Sequence, residues 1–370
     1  MNSSTPNATY CDLKQFSKDF RSCHIYLSFM ICTLGSILNI LNIFILSTKQ
    51  MRSPTNFILT SLAIADVIVM LEYMPFAYMQ DRRTAYYTYG FASFIIFHAV
   101  FTNAFHFISC CLAIILAIWR YIAVKFPQNN QKWCSETRTK YTIFFTYISC
   151  AFVCIPLVLS MTINSPLAYK TPEGEIIFKI RNQTDLENVT VYLTSYRNSI
   201  FKNISFYVYG VVLKLIPCIL LVVLSTLLII ELFKAKQRKK ALLHADNKET
   251  KLLQKKKTNQ KHAEKEKQFN RTTKMLLAVL LLFLMAEFPQ AMMGLLLHIL
   301  GDKFYSECYV PLGDLLDIFT LTISAINFVL YCIMSQKFRE VFREVFFPYL
   351  PCGKVKKNQW ISLQTVNTVV

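Results

Sequence analysis

Six polar residues stand inside long apolar runs of this chain: Asn39, Asn42, Asp66, Glu72, Glu287 and Asn327. A charge or amide costs free energy in a lipid-like setting, so each must face a protein interior, where such groups serve proton relays, ion paths, ligand contacts or helix switches. A second set is one helical stripe, His98, Thr102 and His106, spaced i, i+4 and i+8. At 1.5 Å per residue the two histidines are about 12 Å apart along the axis, too far to share a metal, and the stripe reads as a pocket lining. Arg120, between Trp119 and Tyr121 in "AIWRYIAVKFPQ", is a fixed cation at the edge of an apolar run. By its residues alone it reads as an interfacial cation reaching for water. No HExxH, GxSxG or paired catalytic constellation occurs, which argues against an enzyme.

The elements that position these groups are membrane spans. Of 370 residues, 54% are hydrophobic, in runs too long and too free of charge for one soluble core. Seven runs of spanning length cover about 25–47, 54–79, 91–124, 139–163, 205–233, 272–299 and 311–334. The expected fold is therefore an all-α membrane protein, a seven-helix bundle whose helices satisfy their own backbone in lipid. Flanking it are an N-terminal segment 1–24, a basic loop 234–271 and a tail 335–370.

Orientation follows from the basic loops. Lys49 and Arg52, then Lys125, Lys132, Arg138 and Lys140, then the series from Lys234 to Lys274 mark the cytoplasmic side and leave the N-terminus outside. The sequons at Asn2, Asn7, Asn182, Asn188 and Asn203 all fall outside and are expected to be glycosylated; Asn270 falls inside and is read as chance. The first 24 residues are too polar for a signal peptide, so the first span is expected to act as the export signal. The excess of basic charge, +18 overall, is expected to meet membrane lipid, not nucleic acid, and at the two helical ends of loop 234–271 a protein partner. "SQKFREVFREVFFPYLPC", residues 335–352, reads as an amphipathic helix along the membrane with a lipidation site at Cys352. The final "NTVV" fits a PDZ-type ligand added as a strand. Of the three outside cysteines, Cys11 or Cys23 could bridge to Cys308.

"GSILN", "LAIAD", "WRY", Pro217, "EFPQ" and "NFVLY" come in the order and span positions of the rhodopsin-like G protein-coupled receptors, which the chain resembles from residue 25 to about 347. "MRSPTNFILTSLAIADVIVMLEYMPF", "AIWRYIAVKFPQ", "AEFPQ" and "INFVLYCIMSQKFR" are most similar to the invertebrate myosuppressin and FMRFamide-like neuropeptide receptors, nematode relatives included. The resemblance implies a plasma-membrane receptor that converts binding of an amidated Arg-Phe neuropeptide into heterotrimeric G-protein activation, with arrestin a further partner. It implies activation roles for Trp119, Arg120, Tyr121, Phe283, Pro289, Asn327 and Tyr331, and a sodium site at Asp66, Ser109, Ser324 and Asn327. No other cofactor is expected. An Asp66–Asn327 hydrogen-bond network is the plainer alternative. The ligand set it implies is Glu72, Tyr73, Phe76, His98, Thr102, His106, Glu287, Gln290, Asp314 and Asp317. Asp314 or Asp317 is expected to pair the ligand's arginine, with Glu72 behind them.

Several positions depart from the pattern. Trp119 replaces an acid, Phe328 a proline, Ser225 a tyrosine and Glu287 a tryptophan, and neither the start of span three nor the loop 164–204 carries the cysteine of the usual disulfide. Glu287 is expected opposite His106, as a switch moved by ligand or as a static buried bond. Two other readings stay open: a chemosensory receptor of the same fold for an environmental small molecule, and an ion or proton transporter built on Asp66, Glu72 and Glu287.

Overall fold

The computed structural model describes residues 10–81, 88–170, 176–178, 187–246 and 254–347. It holds seven helices long and apolar enough to cross a membrane: spans one to seven are Lys14–Leu46, Pro54–Met79, Tyr89–Lys125, Glu136–Ser160, Ser199–Ala235, Thr273–Leu300 and Asp302–Met334. The expected runs are all present; spans three, four and five begin a few residues early, and spans one and seven more so. Span one starts eleven residues before residue 25, because Phe16, Phe20 and His24 stack at i, i+4 spacing and carry the helix through a polar sequence. Span seven starts at Asp302, nine residues early, because Phe304 and Cys308 bury against Phe206 and Leu297. The two basic extensions are helical as well, Ile216–Asp246 and Gln254–Leu300, and the joint between them lies outside the described residues.

Span one packs on spans two and seven, span three on two and five, and span six on five and seven, while span four touches two and three from outside. The largest core cluster draws Leu59, Leu62, Leu112, Leu116, Leu221, Leu276 and Leu280 together at the basic end of the bundle. There the tail helix Gln336–Phe346 folds back, capped by Ser335, and its Phe338 and Phe342 rings meet Phe328 at 5.8 and 6.0 Å. Arg339 donates to the carbonyls of Cys332 and Ile333, two acceptors that the end of span seven leaves without a helical partner. With phenylalanine where a proline would break the ladder, span seven runs unbroken to Met334.

The opposite end carries the only β structure among the described residues. Strands β1 (Met161–Asn164) and β5 (Leu193–Tyr196) pair antiparallel, as do β2 (Leu167–Lys170) with β3 (Ile176–Ile177) and β4 (Glu187–Thr190). The sequence reading treated this stretch as loop only. In place of a disulfide to span three, the Tyr89 and Tyr192 rings meet edge to face at 5.5 Å. The bridge of this end is Cys11–Cys308, which ties the N-terminal segment to span seven; Cys23 is exposed and free. Around it Tyr10 donates its backbone N–H to Glu307 at 2.8 Å and packs edge-on against Phe304.

Span five changes pitch. Val208–Leu215 winds as a π-helix just ahead of Pro217, whose missing N–H already interrupts the ladder. Opposite it, Gly210 and Gly294 let spans five and six touch backbone to backbone: a Cβ on Gly210 would lie 2.4 Å from the Gly294 carbonyl oxygen. At Gly35 the nearest obstacle is the end of the Met70 side chain, which can swing aside.

Two predictions follow from this packing. Gly210→Ala lowers the melting temperature of the detergent-solubilised protein by an amount corresponding to roughly 1–3 kcal/mol of overpacking strain, and more than Gly35→Ala does; equal shifts would contradict the close approach of spans five and six. Cys11→Ser and Cys308→Ser lower it equally, the double variant no further than either single one, and Cys23→Ser leaves it unchanged; unequal single effects would argue against the pairing.

Candidate functional site

A cavity of about 210 Å³ opens between spans two, three, five, six and seven. Tyr73, His98, Thr102, His106, Gln290 and Asp317 of the expected ligand set line it, joined by Tyr209, Lys214 and Tyr309. Phe76 stands behind them, its ring stacked on His98 at 3.6 Å with an interplanar angle of 6°. Three residues of the set stand differently from the rest. Asp314 does not line the cavity: it stands on nearly the same face of span seven as Asp317, about one turn nearer the strand-bearing end. Glu72 does not face a ligand: its carboxylate is held by His98 Nδ1 at 2.9 Å and accepts from Thr102 Oγ1 at 3.2 Å. Tyr73 is likewise committed, donating to Asp317 at 3.2 Å while His24 Nε2 lies 3.0 Å from the same hydroxyl. Asp317 is therefore the carboxylate that meets the cavity, oriented by Tyr73.

At the floor, Glu287 is fully buried on span six. His106 contacts its carboxylate, and Lys214 Nζ stands 3.9 Å away on the other side. Lys214 also donates to Gln290 Oε1, and Gln290 passes a hydrogen bond on to Thr320 at 2.7 Å. A lone buried carboxylate in lipid is prohibitive, and the His106 imidazole of span three and the Lys214 ammonium of span five make it tolerable. The sequence reading found His106 and Glu287 but missed Lys214 and His24. Lys214 was legible, a lysine inside "VVLKLIP" with no other charge near it. His24 was not, because it lay in a segment taken as outside the bundle.

Deeper in the bundle, Asp66, Ser324 and Asn327 interact side chain to side chain, and Asn39 of span one donates to the backbone carbonyl of Ser324 at 3.2 Å. Asp66 Oδ2, Asn39 Oδ1 and Asn327 Oδ1 are buried acceptors without a hydrogen-bond donor. Such a surplus of hard oxygen acceptors fits a small hard cation. Ser109 is buried on span three but makes no hydrogen bond to this group.

At the basic end Arg120 forms no ion pair among the described residues, and its Nε is buried without a partner. It borders a small cavity with Ser53, Thr55, Asn130 and Cys134. Burial pushes the Cys134 thiol up, against the pull of the Arg120 guanidinium. Trp119 turns away from Arg120 and donates its indole N–H to Thr139 of span four at 2.9 Å, so it ties two spans together and is no simple interface anchor. Tyr121 is half-buried and accepts from Lys125 at 2.6 Å. Phe283 and Tyr331 are buried in the main core, and Pro289 lies within span six, where it borders a groove shared with span five. Asn188 and Asn203 are exposed at the strand-bearing end; Asn2, Asn7, Asn182 and Cys352 lie outside the described residues, as do the C-terminal four and the side chain of Asn270.

Known proteins resemble the chain over this whole frame. The chain is 29% identical over 361 residues to the G-protein coupled receptor dmsr-1 of Caenorhabditis elegans, covering 89% of this chain and 69% of that protein. It is 28% identical to the sex peptide receptor of Drosophila melanogaster, covering 90% and 74%, and 24% identical to the Drosophila FMRFamide receptor, covering 89% and 54%. The family described as serpentine type 7TM GPCR chemoreceptor Srw matches residues 26–348, from the first span to the end of the tail helix. The seven spans, the polar cavity and this match together make the chain a member of the Srw family of seven-transmembrane G protein-coupled receptors.

Proposed function

We propose that this receptor is activated from outside the cell by a neuropeptide with an amidated Arg-Phe end. The observation that carries the reading is Asp317, a carboxylate aimed by Tyr73 into a cavity walled by the rings of Tyr73, His98, Tyr209 and Tyr309. A guanidinium needs a carboxylate to pair with, and a phenyl ring needs an aromatic wall; the cavity offers both within one ligand's reach. Relatives named as sex peptide and FMRFamide receptors support a peptide. The strand-bearing end, with its exposed sequons and its disulfide, faces outside in this reading, and the basic end meets the G protein through Arg120.

Ligand entry moves the contacts of Glu287 with His106 and Lys214 at the cavity floor, and span six carries that movement past Pro289 to the basic end. Sodium at Asp66, Ser324 and Asn327 stabilises one packing of spans two and seven over the other. The family description as chemoreceptor favours a second reading, in which an environmental small molecule fills the same cavity.

The test is a G-protein activation assay in cells displaying the chain, with amidated and free-acid Arg-Phe peptides. Amide-dependent activation that Arg120→Ala abolishes is expected; silence of the whole panel at proven surface expression transfers the assignment to the chemosensory ligand. Asp317→Asn weakens potency about tenfold or more, since a lost charge-assisted hydrogen bond is worth roughly 1.5–3 kcal/mol, whereas Asp314→Asn shifts it little. The floor is tested separately: His106→Gln and Glu287→Gln each change potency or maximal response, and two variants that both match the parent would remove the switch.

A further inference from the structure

The cavity floor holds a group that peptide binding does not use. Cys110 stands one helical turn after His106 on span three, and both face Glu287 of span six. One donor atom of each, an imidazole nitrogen, a thiol sulfur and a carboxylate oxygen, lie within 4.8 Å of one another. Cys110 and Glu287 are fully buried. The Glu287 carboxylate meets both the His106 imidazole and the Cys110 thiol, so the three donors converge on one point.

We infer that His106, Cys110 and Glu287 form a binding site for a zinc ion that clamps span three to span six. Nitrogen, sulfur and oxygen donors in this mixture suit zinc, whose bonds of about 2.0–2.3 Å the three atoms reach by small rotamer changes. Hard cations such as calcium or magnesium would avoid the thiolate. Charge also favours the ion. With Cys110 as thiolate and Glu287 ionised, Zn²⁺ is balanced by its own ligands and His106 binds as the neutral imidazole; the thiol proton, and the imidazole proton where His106 carries one, leave to the water of the cavity. Lys214 gives up its contact with Glu287 and stays held by Gln290. Because His106 also borders the ligand cavity, a fourth coordination position opens toward it, as in zinc sites that accept an exogenous ligand. The two histidines of span three cannot share a metal, but span six supplies what the second histidine would have given.

Lys214 makes the inference distinctive, because its positive charge stands against the metal it neighbours. Removing that charge must tighten zinc, whereas a purely structural floor would only be weakened by the same change.

The experiment titrates Zn²⁺ into the purified full-length receptor in detergent, followed by calorimetry and by melting temperature, with Co²⁺ as a spectroscopic substitute. The expected result is one equivalent of zinc that raises the melting temperature, and a thiolate-to-cobalt charge-transfer band. Cys110→Ser removes the band and weakens zinc roughly tenfold or more, Glu287→Gln weakens it comparably, and Lys214→Met tightens it. Cys110→Ser without metal melts like the parent, which separates loss of a ligand from loss of fold. Absence of binding by the parent overturns the inference. So does binding that survives Cys110→Ser, which would belong to the exposed Cys23 or to surface groups. None of these readouts needs a peptide, so they stand or fall apart from the ligand assignment.

Discussion

A carboxylate with zero exposure sits on span six where lipid-facing neighbours such as Met285 and Phe288 make water scarce, and the arrangement around it follows from that one cost. Glu287 has to be neutralised from outside its own helix, so His106 must come from span three and Lys214 from span five. Lys214 in turn needs Gln290, and Gln290 needs Thr320 of span seven. One buried charge thus fixes the relative positions of four helices at the depth of the cavity. The same logic repeats a turn or two outward, where Glu72 draws His98 and Thr102, and Asp317 draws Tyr73 and His24. Three carboxylates, each facing a histidine directly or through a tyrosine, stack along the bundle. Only Asp317 is left open to the cavity.

Backbone geometry makes room for this polar column. The π-helical turn of span five precedes Pro217 and rotates Tyr209 and Lys214 inward, while Gly210 and Gly294 let spans five and six close above the ion pair without a side chain between them. At the other end the bundle is apolar, and the tail helix seals it through Phe328, Phe338 and Phe342. The polar groups thus gather in one half of the bundle and the closely packed apolar side chains in the other.

Much of this was legible in the sequence. Seven runs of spanning length gave the bundle, and the principle that intramembrane charges face inward pointed to Asp66, Glu72 and Glu287. The stripe His98, Thr102, His106 read correctly as a cavity wall. What escaped is instructive. His24 lay beyond the hydropathy boundary, since hydropathy measures membrane depth and not helix length. Lys214 was passed over among strongly apolar neighbours, though its isolation was the signal. The choice of Cys11 over Cys23 depends on how the first helix begins: Cys23 already belongs to that helix, whereas Cys11 precedes it and can reach span seven. The separation of Asp317 from Asp314 is one of depth along a single helix face, which spacing alone does not settle, and the strands of residues 161–196 depend on pairings that short, mixed sequences do not announce.

Cys11 and Cys308 are separated by 297 residues, and six of the seven spans lie between the start of one's helix and the other. Their bond cannot close while the chain is still being threaded, because one partner is made at the outset and the other near the end of synthesis. Both must also arrive on the same side of the bilayer, which an error of one crossing would prevent. The bridge is therefore a covalent record that both ends of the bundle reached the same side of the membrane.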